Sequence, residues 1–440
     1  MKVLLIDNDG VGLAFAWRCQ QNGHMVRWFI APKKHNNQDT GKGFKGIEKI
    51  DNWVGSAMWA DLIFNVSNDD FLPRLEMMKA RGAKYFGPSV KSANLEIKRA
   101  DGMLFLEEHG ISVPDYKVFK NLKEAEAYVW KHDDKRYVFK TLGDNEDKAL
   151  SYVAKTPADM IARLRRWQEL KLNPKGEVML QEFVAGIEFA VSRWMGKSGW
   201  VGPANENFEF KKFCAGDVGC NTGEMGSVLK YVNESKLFDE TLGKLDKSLK
   251  GLGHLGDVDL NCIIDGSGKV WPLEFTSRPG WPAFNIMLSE HSGDPVKWMK
   301  DAIEGKDSLT VSEEVAIGVV ISQPDFPYSQ YTKKEVSGVP FYVEEKQKKY
   351  IQPQGIKIEN AVTMEGDRPI EKPMWVTSGD YIAVVTGLGK TVKEAQKRVY
   401  GTVEKIHVSN MMYRHDIGDR LEKQIPELQK HGFAKEWRFE

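Results

Sequence analysis

The sequence predicts an α/β protein of about three domains, and three stretches support this prediction. The chain opens with a short apolar run, a glycine-containing turn and a helical pattern, which is the order typical of a doubly wound parallel sheet. Strand and helix patterns alternate through the middle, and after about residue 315 the sequence is β-rich and punctuated by Gly and Pro. We therefore predict an N-terminal doubly wound parallel sheet over 1–93, a central region over 94–315, and a small β-rich C-terminal domain with terminal helices over 316–440.

The N-terminal elements end in polar loops. A strand over 3–6 stops at a loop with Asn8, Asp9 and Gly10, and a strand over 61–66 stops at a loop with Asn68. A further strand is predicted over 84–88. Because ligands of such folds lie beyond the carboxyl ends of the parallel strands, these four residues are candidates for substrate binding.

The central region mixes helices and strands. One helix is predicted around 95–106, followed by a strand over 137–140, a polar loop over 143–148, a helix from Thr156 to about Leu170 and a strand over 178–183. Thr156 followed by Pro157 is a good cap and first position for that helix. Further on we expect a long loop over 205–226, a hairpin turn at 265–268 and a last helix from 392 to about 407.

Three groups of residues suggest nucleotide chemistry. Lys140 ends an apolar strand and could neutralise phosphates, although a strand-end lysine taken alone is more often a surface residue. The extended segment 181–188 could meet an adenine edge, with Glu188 on the ribose. Glu274 and Thr276 alternate onto one strand face, with Arg278 two residues on, and oxygen ligands beside a guanidinium suit Mg²⁺ and a phosphoryl group.

Composition limits the function classes. Lys+Arg and Asp+Glu each number 62 among 440 residues, and this zero net charge disfavours a generic nucleic-acid binder, because such binding relies on a basic surplus. The 41% hydrophobic fraction excludes wholesale disorder. Four cysteines without C-x-x-C spacing, and no apolar run of membrane length, favour a reduced cytoplasmic setting with small-molecule partners. Oligomeric state is open between monomer and homodimer.

The order of these motifs resembles that of the ATP-grasp ligases, and from residue 1 to about 421 the chain resembles the phosphoribosylamine–glycine ligase family. The most specific stretch is Asn-Thr-Gly-Glu-Met-Gly at 221–226, which is similar to the family's Asn-Thr-Gly-Gly-Met-Gly. The segments 386–398 and 414–418 are also similar. The resemblance implies a central ATP-grasp fold with a flap subdomain at about 116–185, and a ligase that needs ATP and Mg²⁺ or Mn²⁺.

The implied reaction forms an amide. ATP phosphorylates the carboxylate of a small amino acid, expected to be glycine, and an amine attacks the acyl phosphate, so that ADP and phosphate leave. The residues that the resemblance assigns to ATP are Arg99 (or Lys98 beside it), Lys140, Lys148, Glu182, Val184, Glu188 and Lys212. Those assigned to the metal are Glu274, Thr276 and Asn261, with Asp259 near them. Those assigned to catalysis and the acyl donor are Asn221, Glu274, Arg278, Thr222, Gly223 and Met225.

Three loops depart from the family pattern. The first loop reads Asp-Asn-Asp-Gly-Val-Gly-Leu at 7–13, where the family has Gly-Asn-Gly-Gly-Arg-Glu-His, and the second reads Val-Ser-Asn at 66–68 followed by two acids. Acidic loops suit a sugar phosphate poorly and favour a neutral or cationic acceptor. In the glycine-rich flap only Gly143 and Lys148 remain.

We therefore expect an ATP-dependent carboxylate–amine ligase whose acceptor amine is linked to a nucleotide or sugar. Three alternatives stay open. The first is the family's own reaction in purine biosynthesis, with Arg414 and Arg420 supplying phosphate contacts. The second is an amino-acid ligase of a modified-nucleotide pathway, such as viral DNA modification. The third is a catalytically inactive nucleotide-binding relative.

Overall fold

A computed structural model describes residues 1–32, 38–68, 70–142, 151–172, 174, 176–328 and 334–440. Its N-terminal part is a five-stranded parallel sheet in the order β3-β2-β1-β4-β5. The elements of this part are β1 (Lys2–Asp7), α1 (Leu13–Gln21), β2 (Met25–Ile30), β3 (Ile47–Lys49), β4 (Leu62–Asn65), α2 (Leu72–Ala80) and β5 (Tyr85–Phe86).

Alternate residues of β1 enter two different cores, as a doubly wound sheet requires. Val3 and Leu5 pack in the core that contains α1, whereas Leu4 and Ile6 pack in the core that contains α2. The predicted doubly wound sheet is therefore confirmed.

The helix predicted around 95–106 is two helices, α3 (Val90–Ile97) and α4 (Arg99–Glu108). The prediction of one helix is wrong because Lys98 leaves helical geometry, with φ −103° and ψ 81°. A four-stranded sheet in the order β6-β9-β7-β8 follows and carries two helices that pack on each other. Its elements are β6 (Tyr116–Phe119), α5 (Leu122–Lys131), β7 (Tyr137–Thr141), β8 (Tyr152–Val153), α6 (Pro157–Glu169) and β9 (Val178–Glu182).

This small sheet has its own hydrophobic core, which includes Phe139, Leu164 and Trp167. Thr156 caps α6, since its side chain accepts a hydrogen bond from the Asp159 amide. We call this unit, over about 116–185, the flap; its limits, like those of the three predicted domains, stay a prediction.

The next elements begin the central sheet and a short arm. They are β10 (Gly186–Gly196), β11 (Gly199–Glu209), β12 (Lys212–Cys214), β13 (Val218–Asn221), β14 (Gly226–Val232), α7 (Lys236–Glu240), α8 (Asp246–Gly251), β15 (Gly256–Asp265) and β16 (Val270–Thr276). The loop predicted over 205–226 is largely wrong, because β11 runs on to Glu209 and β12 pairs with β13. Polar residues at 205–207 suggested a loop, yet Glu206 is buried and accepts hydrogen bonds from Ser235 and Trp437.

The remaining elements are α9 (Ala283–Glu290), β17 (His291–Ser292), α10 (Pro295–Glu304), β18 (Thr310–Val311), β19 (Val315–Ser322), β20 (Ile351–Pro353), β21 (Ile356–Glu365), β22 (Arg368–Thr377), β23 (Tyr381–Gly389), α11 (Val392–Val403) and α12 (Leu421–Lys430). Of these, β19, β20 and β23 complete the central sheet, whereas β17 pairs with β18 and β21 pairs with β22 in separate two-stranded sheets. The last predicted helix thus ends near 403, short of 407.

One eight-stranded antiparallel sheet joins the middle and the end of the chain, in the order β16-β15-β10-β11-β14-β19-β23-β20. The expected β-rich C-terminal region is present, and its β19 and β23 extend this central sheet. Aromatic contacts such as Phe64–Phe284 and Phe86–Trp194 pack the N-terminal sheet against it. Of the helices in the described residues, none is long and apolar enough to cross a bilayer.

Candidate functional site

A cavity of about 490 Å³ lies between the flap and the central sheet, and we call it the flap cavity. It collects most residues that the sequence assigned to nucleotide, metal and acyl donor, although their roles remain predictions. The assigned residues that line it are Arg99, Lys140, Glu182, Val184, Glu188, Lys212, Asn221, Thr222, Gly223, Glu274, Thr276 and Arg278. Lys148 lies outside the described residues.

Two cationic side chains, which come from different elements, line the flap cavity. Lys140, at the end of β7, donates from Nζ to the Leu273 carbonyl at 3.0 Å. Arg99, the first residue of α4, forms an ion pair with Glu274 at 3.1 Å. Both are only 8% exposed, and two largely desolvated cations beside one strand are suited to an anionic ligand such as a polyphosphate.

Lys211 is a third cation in this cavity, and the sequence reasoning selected its neighbour Lys212 instead. Its Nζ lies 2.6 Å from Glu188 and 2.8 Å from Glu209. Burial lowers the pKa of Lys211, but these carboxylates and Glu274 outweigh burial and hold that pKa well above its ordinary value. Only the tertiary contacts distinguish the two lysines, because they are adjacent in sequence and identical in type.

The segment after β9 forms the hinge of the flap. The amides of Glu182 and Phe183 donate to the carbonyls of Asp115 and Arg136 at 2.8 and 2.9 Å. An adenine edge at this hinge would therefore use the peptide groups that follow, at Val184. Arg136 also stacks over the Phe183 ring, 3.7 Å from its centroid, which fixes the hinge against the flap.

The residues expected to bind metal stand opposite each other on β15 and β16. Asn261 pairs in register with Glu274, and Asp259 pairs with Thr276. Asn261 donates from Nδ2 to Glu209 at 2.6 Å, while its buried Oδ1 has no hydrogen-bond partner. An orphaned oxygen facing a carboxylate fits Mg²⁺, which usually takes one or two protein ligands and completes its shell with phosphates and water. Among the described residues, no group of three His, Cys, Asp or Glu side chains could hold a metal on its own.

A second cavity, of about 770 Å³, lies beside the carboxyl ends of the N-terminal strands, and we call it the loop cavity. Asp9 and Asn68 line it together with Asp70 and Glu96. Asn8 and Gly10 do not line it, and the Asn8 side chain is fully buried. Two cations, Lys98 and Arg278, also line it, as do Ser67, Asn94 and Gly223. The apolar part of the wall consists of Val66, Leu72, Pro73, Val90, Ala93, Ile97 and Trp281.

The first loop closes around its own carboxylate. Asp7 is fully buried and accepts hydrogen bonds from the amides of Asp9, Gly10 and Gly12 at 3.0, 2.8 and 2.7 Å, and from the Trp28 indole at 3.2 Å. Backbone amides in a glycine-containing turn after a first strand form the usual phosphate cradle of such folds. Here those amides are already satisfied by Asp7. Of the two acids in the first loop, Asp9 lines the loop cavity, whereas Asp7 binds the amides of the loop itself.

Arg278 lies where the cavities meet. It forms an ion pair with Glu96 at 3.2 Å, and Glu96 in turn accepts from Asn68 Nδ2 at 2.6 Å and from the Ser277 amide at 2.8 Å. Burial lowers the pKa of Arg278, but Glu96 and Asp9 raise it above its ordinary value, so the guanidinium stays charged. Glu96 therefore positions Arg278, and sequence reasoning did not identify it, because the two residues are 182 positions apart.

A third space, of about 130 Å³, connects the other two, and we call it the acid pocket. It shares Arg278 and Gly223 with both cavities. Glu224, Asp257 and Asp259 line it, whereas Met225 is buried in the core beside it and does not. The donor-binding loop of the sequence analysis thus borders all three spaces.

The two arginines considered as alternative phosphate ligands lie at the arm formed by β12 and β13. Arg414 is 1% exposed and is paired with Asp416 at 2.7 Å and Asp217 at 2.9 Å. Arg420 also pairs with Asp217, at 3.0 Å, and reaches the flap cavity. Neither arginine lines the loop cavity.

Comparisons with known proteins show the family to which this chain belongs. Two domain models of one enzyme family match the chain: Phosphoribosylglycinamide synthetase, ATP-grasp (A) domain, over 102–252, and the C domain of the same synthetase over 316–420. Together they span more than half of the 440 residues.

Full-length relatives carry one name. The phosphoribosylamine–glycine ligase of Ralstonia nicotianae is 26% identical over 96% of this chain and 99% of its own length. That of Escherichia coli is 28% identical over 96% and 98%. The crystal structure of the phosphoribosylamine–glycine ligase from Thermotoga maritima superimposes with a TM-score of 0.69 at 21% identity, over 95% of this chain and 100% of that one. This last similarity shows a shared fold.

Proposed function

We propose, given that this chain belongs to the ATP-grasp carbon–nitrogen ligases in the group of the phosphoribosylamine–glycine ligases, that it joins a small amino acid to an amine. If this acceptor amine carries a phosphate, the first loop does not bind that phosphate. Glycine is the first candidate for the donor. The observation that carries the proposal is the meeting of three spaces at Arg278 and Gly223. A donor at this point touches a nucleotide on one side and an acceptor on the other.

The proposed chemistry runs in two steps. A carboxylate oxygen of the donor attacks the γ-phosphorus of ATP and ADP leaves, which yields an acyl phosphate. The acceptor nitrogen then attacks the carbonyl carbon, inorganic phosphate leaves, and the nitrogen loses one proton. Neither step requires a covalent enzyme intermediate, so catalysis rests on positioning and on charge neutralisation.

The chain's cations fit the nucleotide side of this scheme. Lys140 and Arg99 are held within the flap cavity by Leu273 and Glu274, where they would neutralise ATP phosphates. Glu274 and Asn261 would hold Mg²⁺, which would supply positive charge to offset that of the phosphates. Arg278, fixed by Glu96, would stabilise the charge on the transferred phosphoryl group.

The loop cavity supports an acceptor without a phosphate at the first loop. The amides that would cradle a phosphate donate to Asp7, and the same loop adds the carboxylate of Asp9 to the cavity wall, whereas the cations of that wall, Lys98 and Arg278, come from other segments. Like charge next to phosphate weakens binding, whereas an amine gains from it. The apolar part of the wall suits a hydrophobic or planar carrier, such as the base of a nucleoside.

Phosphoribosylamine is a second candidate acceptor, which the names of the relatives favour. It requires phosphate contacts from outside the first loop. A direct comparison of acceptors with and without phosphate distinguishes the two candidates.

Trapping the acyl phosphate tests the reaction without knowledge of the acceptor. Hydroxylamine attacks acyl phosphates and gives hydroxamates that ferric iron stains, so ATP, Mg²⁺, glycine and hydroxylamine should give ADP and glycyl hydroxamate in equal amounts. Glu274→Gln should lower this turnover by about 100-fold or more because the metal loses its carboxylate. Glu304→Gln, at an exposed helix end paired with Lys306, serves as the control. A wild-type protein that binds MgATP yet never forms ADP with any amino acid, with or without amines, would refute the ligase proposal.

Acceptor choice is measured next. Amino-substituted nucleosides should support glycine-dependent ADP release, and phosphoribosylamine should not. Turnover with phosphoribosylamine at the level of such nucleosides would favour the second candidate.

A further inference from the structure

The acid pocket is built on one face of the central sheet. Asp257, Asp259 and Asn261 alternate along β15, so their side chains share a face. Ser192 of β10 stands opposite Asp259 in register and lines the same pocket. Glu274 and Thr276 of β16 also line it, so the pocket lies on three paired strands, and Trp281, Ala283 and Met287 add to its wall.

Three acceptor atoms of this pocket are buried without a hydrogen-bond partner. They are Ser192 Oγ, Asp257 Oδ1 and Asn261 Oδ1, on residues that are 1%, 1% and 2% exposed. Buried polar atoms are almost always paired in folded proteins, and an unpaired one is costly. Asn261 stands opposite Glu274 and is the candidate metal ligand. The unpaired atoms of Ser192 and Asp257 remain unexplained by the nucleotide site.

The pocket is also lined by three acids, Glu224, Asp257 and Asp259. Burial raises the pKa of Asp257 to about 8, so this carboxyl keeps its proton at neutral pH and would ionise beside a bound cation. Lys211 and Arg278 also line the pocket, but Lys211 is paired with Glu188 and Glu209, and Arg278 is paired with Glu96. The acids and the unpaired acceptor atoms of the pocket therefore both favour a small cation that donates hydrogen bonds.

Such a cation is an ammonium group more readily than a metal. Among the described residues, no set of three metal-binding side chains has the spacing for an ion, whereas an ammonium group needs only acceptors at hydrogen-bond distance. We propose that the acid pocket binds the α-ammonium group of the donor amino acid, with Asp257 and Asp259 as counter-charges and Ser192 as a further acceptor. The donor carboxylate then points out of the pocket, toward Arg278 and the nucleotide.

This assignment deepens the proposed function and rests on it. It makes the donor a free α-amino acid rather than a simple carboxylic acid, and the pocket volume of about 130 Å³ restricts the side chain to a small one. Glycolate is the sharpest probe, because it replaces the ammonium group of glycine by a hydroxyl and keeps the carboxylate.

The test combines direct binding with turnover. Glycine binding is measured by calorimetry on protein loaded with Mg²⁺ and a non-hydrolysable ATP analogue, and KM values come from hydroxamate formation. Asp257→Asn should weaken glycine binding and raise its KM by about 10- to 100-fold, as expected for a lost charged hydrogen bond, while the KM for ATP changes less than twofold. Ser192→Ala should act in the same direction with a smaller effect, and the preference for glycine over glycolate should narrow in both variants.

The free protein provides an independent readout. Because burial raises the pKa of Asp257 to about 8, the folded protein holds a proton at pH 7 that the unfolded chain releases, and this lowers its stability. Asp257→Asn removes that cost and should raise the melting temperature at pH 7 while it weakens glycine binding. Glu206→Gln is the matched control, since Glu206 is buried in the same sheet and hydrogen-bonded outside the pocket. It should leave glycine binding unchanged.

Two results would overturn the assignment. One is glycine affinity that is unchanged in both Asp257→Asn and Ser192→Ala; the other is a wild-type protein that uses glycolate as well as glycine. If the ligase proposal alone fails, no ADP forms, but calorimetry can still rank the glycine affinities of the wild type and the two variants.

Discussion

Removal of the Asp7 carboxylate tests the central argument about the first loop. Asp7→Ala leaves four donors without their acceptor, namely the buried Gly12 amide and Trp28 indole and the part-buried amides of Asp9 and Gly10. At about 2 kcal/mol for each of the two buried donors, the expected loss is about 4 kcal/mol of the free energy of unfolding. For a chain of 440 residues, that corresponds to a fall of roughly 4 °C in melting temperature.

The same substitution should create an anion site. With Asp7 gone, the amides of Asp9, Gly10 and Gly12 are free to bind phosphate. Scanning calorimetry with and without millimolar inorganic phosphate should therefore show a larger phosphate stabilisation for Asp7→Ala than for the wild type. Asp9→Ala is the control, because Asp9 is exposed on the same loop, and an exposed substitution changes stability by about 0.5 kcal/mol or less.

Two outcomes would refute the reasoning. If Asp7→Ala melts no earlier than Asp9→Ala, the four hydrogen bonds do not organise the loop. If phosphate stabilises the wild type as much as the variant, the loop binds anions with Asp7 in position, and the case against a phosphate-bearing acceptor at this loop fails.

Two further predictions concern pH and the nucleotide. Burial raises the pKa of Glu206 to about 7. Between about pH 4.5 and 7 the folded protein therefore keeps a proton that the unfolded chain releases. Because of this difference, the free energy of unfolding falls by about 3 kcal/mol as the pH rises through this range. Glu206→Gln should remove that part of the pH dependence of the melting temperature; an unchanged pH profile would show that Glu206 is ionised when folded. Lys140→Met should raise the KM for ATP by about 10-fold or more through the loss of a cation that contacts phosphate, with the KM for glycine little changed. Lys117→Met, on an exposed position of the flap strand β6, is the control, and equal ATP affinity in the two variants would contradict the role of Lys140.

Local patterns in the sequence determined much of the architecture. The opening strand, turn and helix predicted the parallel sheet, because apolar runs and glycine turns act over a few residues. The strand that ends in Lys140 and the alternation of Glu274 and Thr276 were also readable, since side chains alternate with period two along a strand. These positions line the flap cavity together.

Local patterns failed where burial overrides composition. The polar residues 205–207 predict part of a loop, yet they lie in β11 of the central sheet. Two of their side chains have partners in distant segments, Glu206 with Ser235 and Trp437, and Asn207 with Asp259. Lys98 broke a helix that the apolar spacing had predicted as continuous.

The sequence by itself determined the fold class, the family resemblance and the acidic character of the first two loops. Only the tertiary structure decided what those acids do. In the folded chain, Asp7 accepts hydrogen bonds from the amides of its own loop, and Asp9 lines the loop cavity. Glu96 forms an ion pair with Arg278, which is 182 residues away in sequence. The physical reason is that motifs and periodicity arise from neighbours along the chain, whereas the partner of a buried charge is set by which strands and helices pack together.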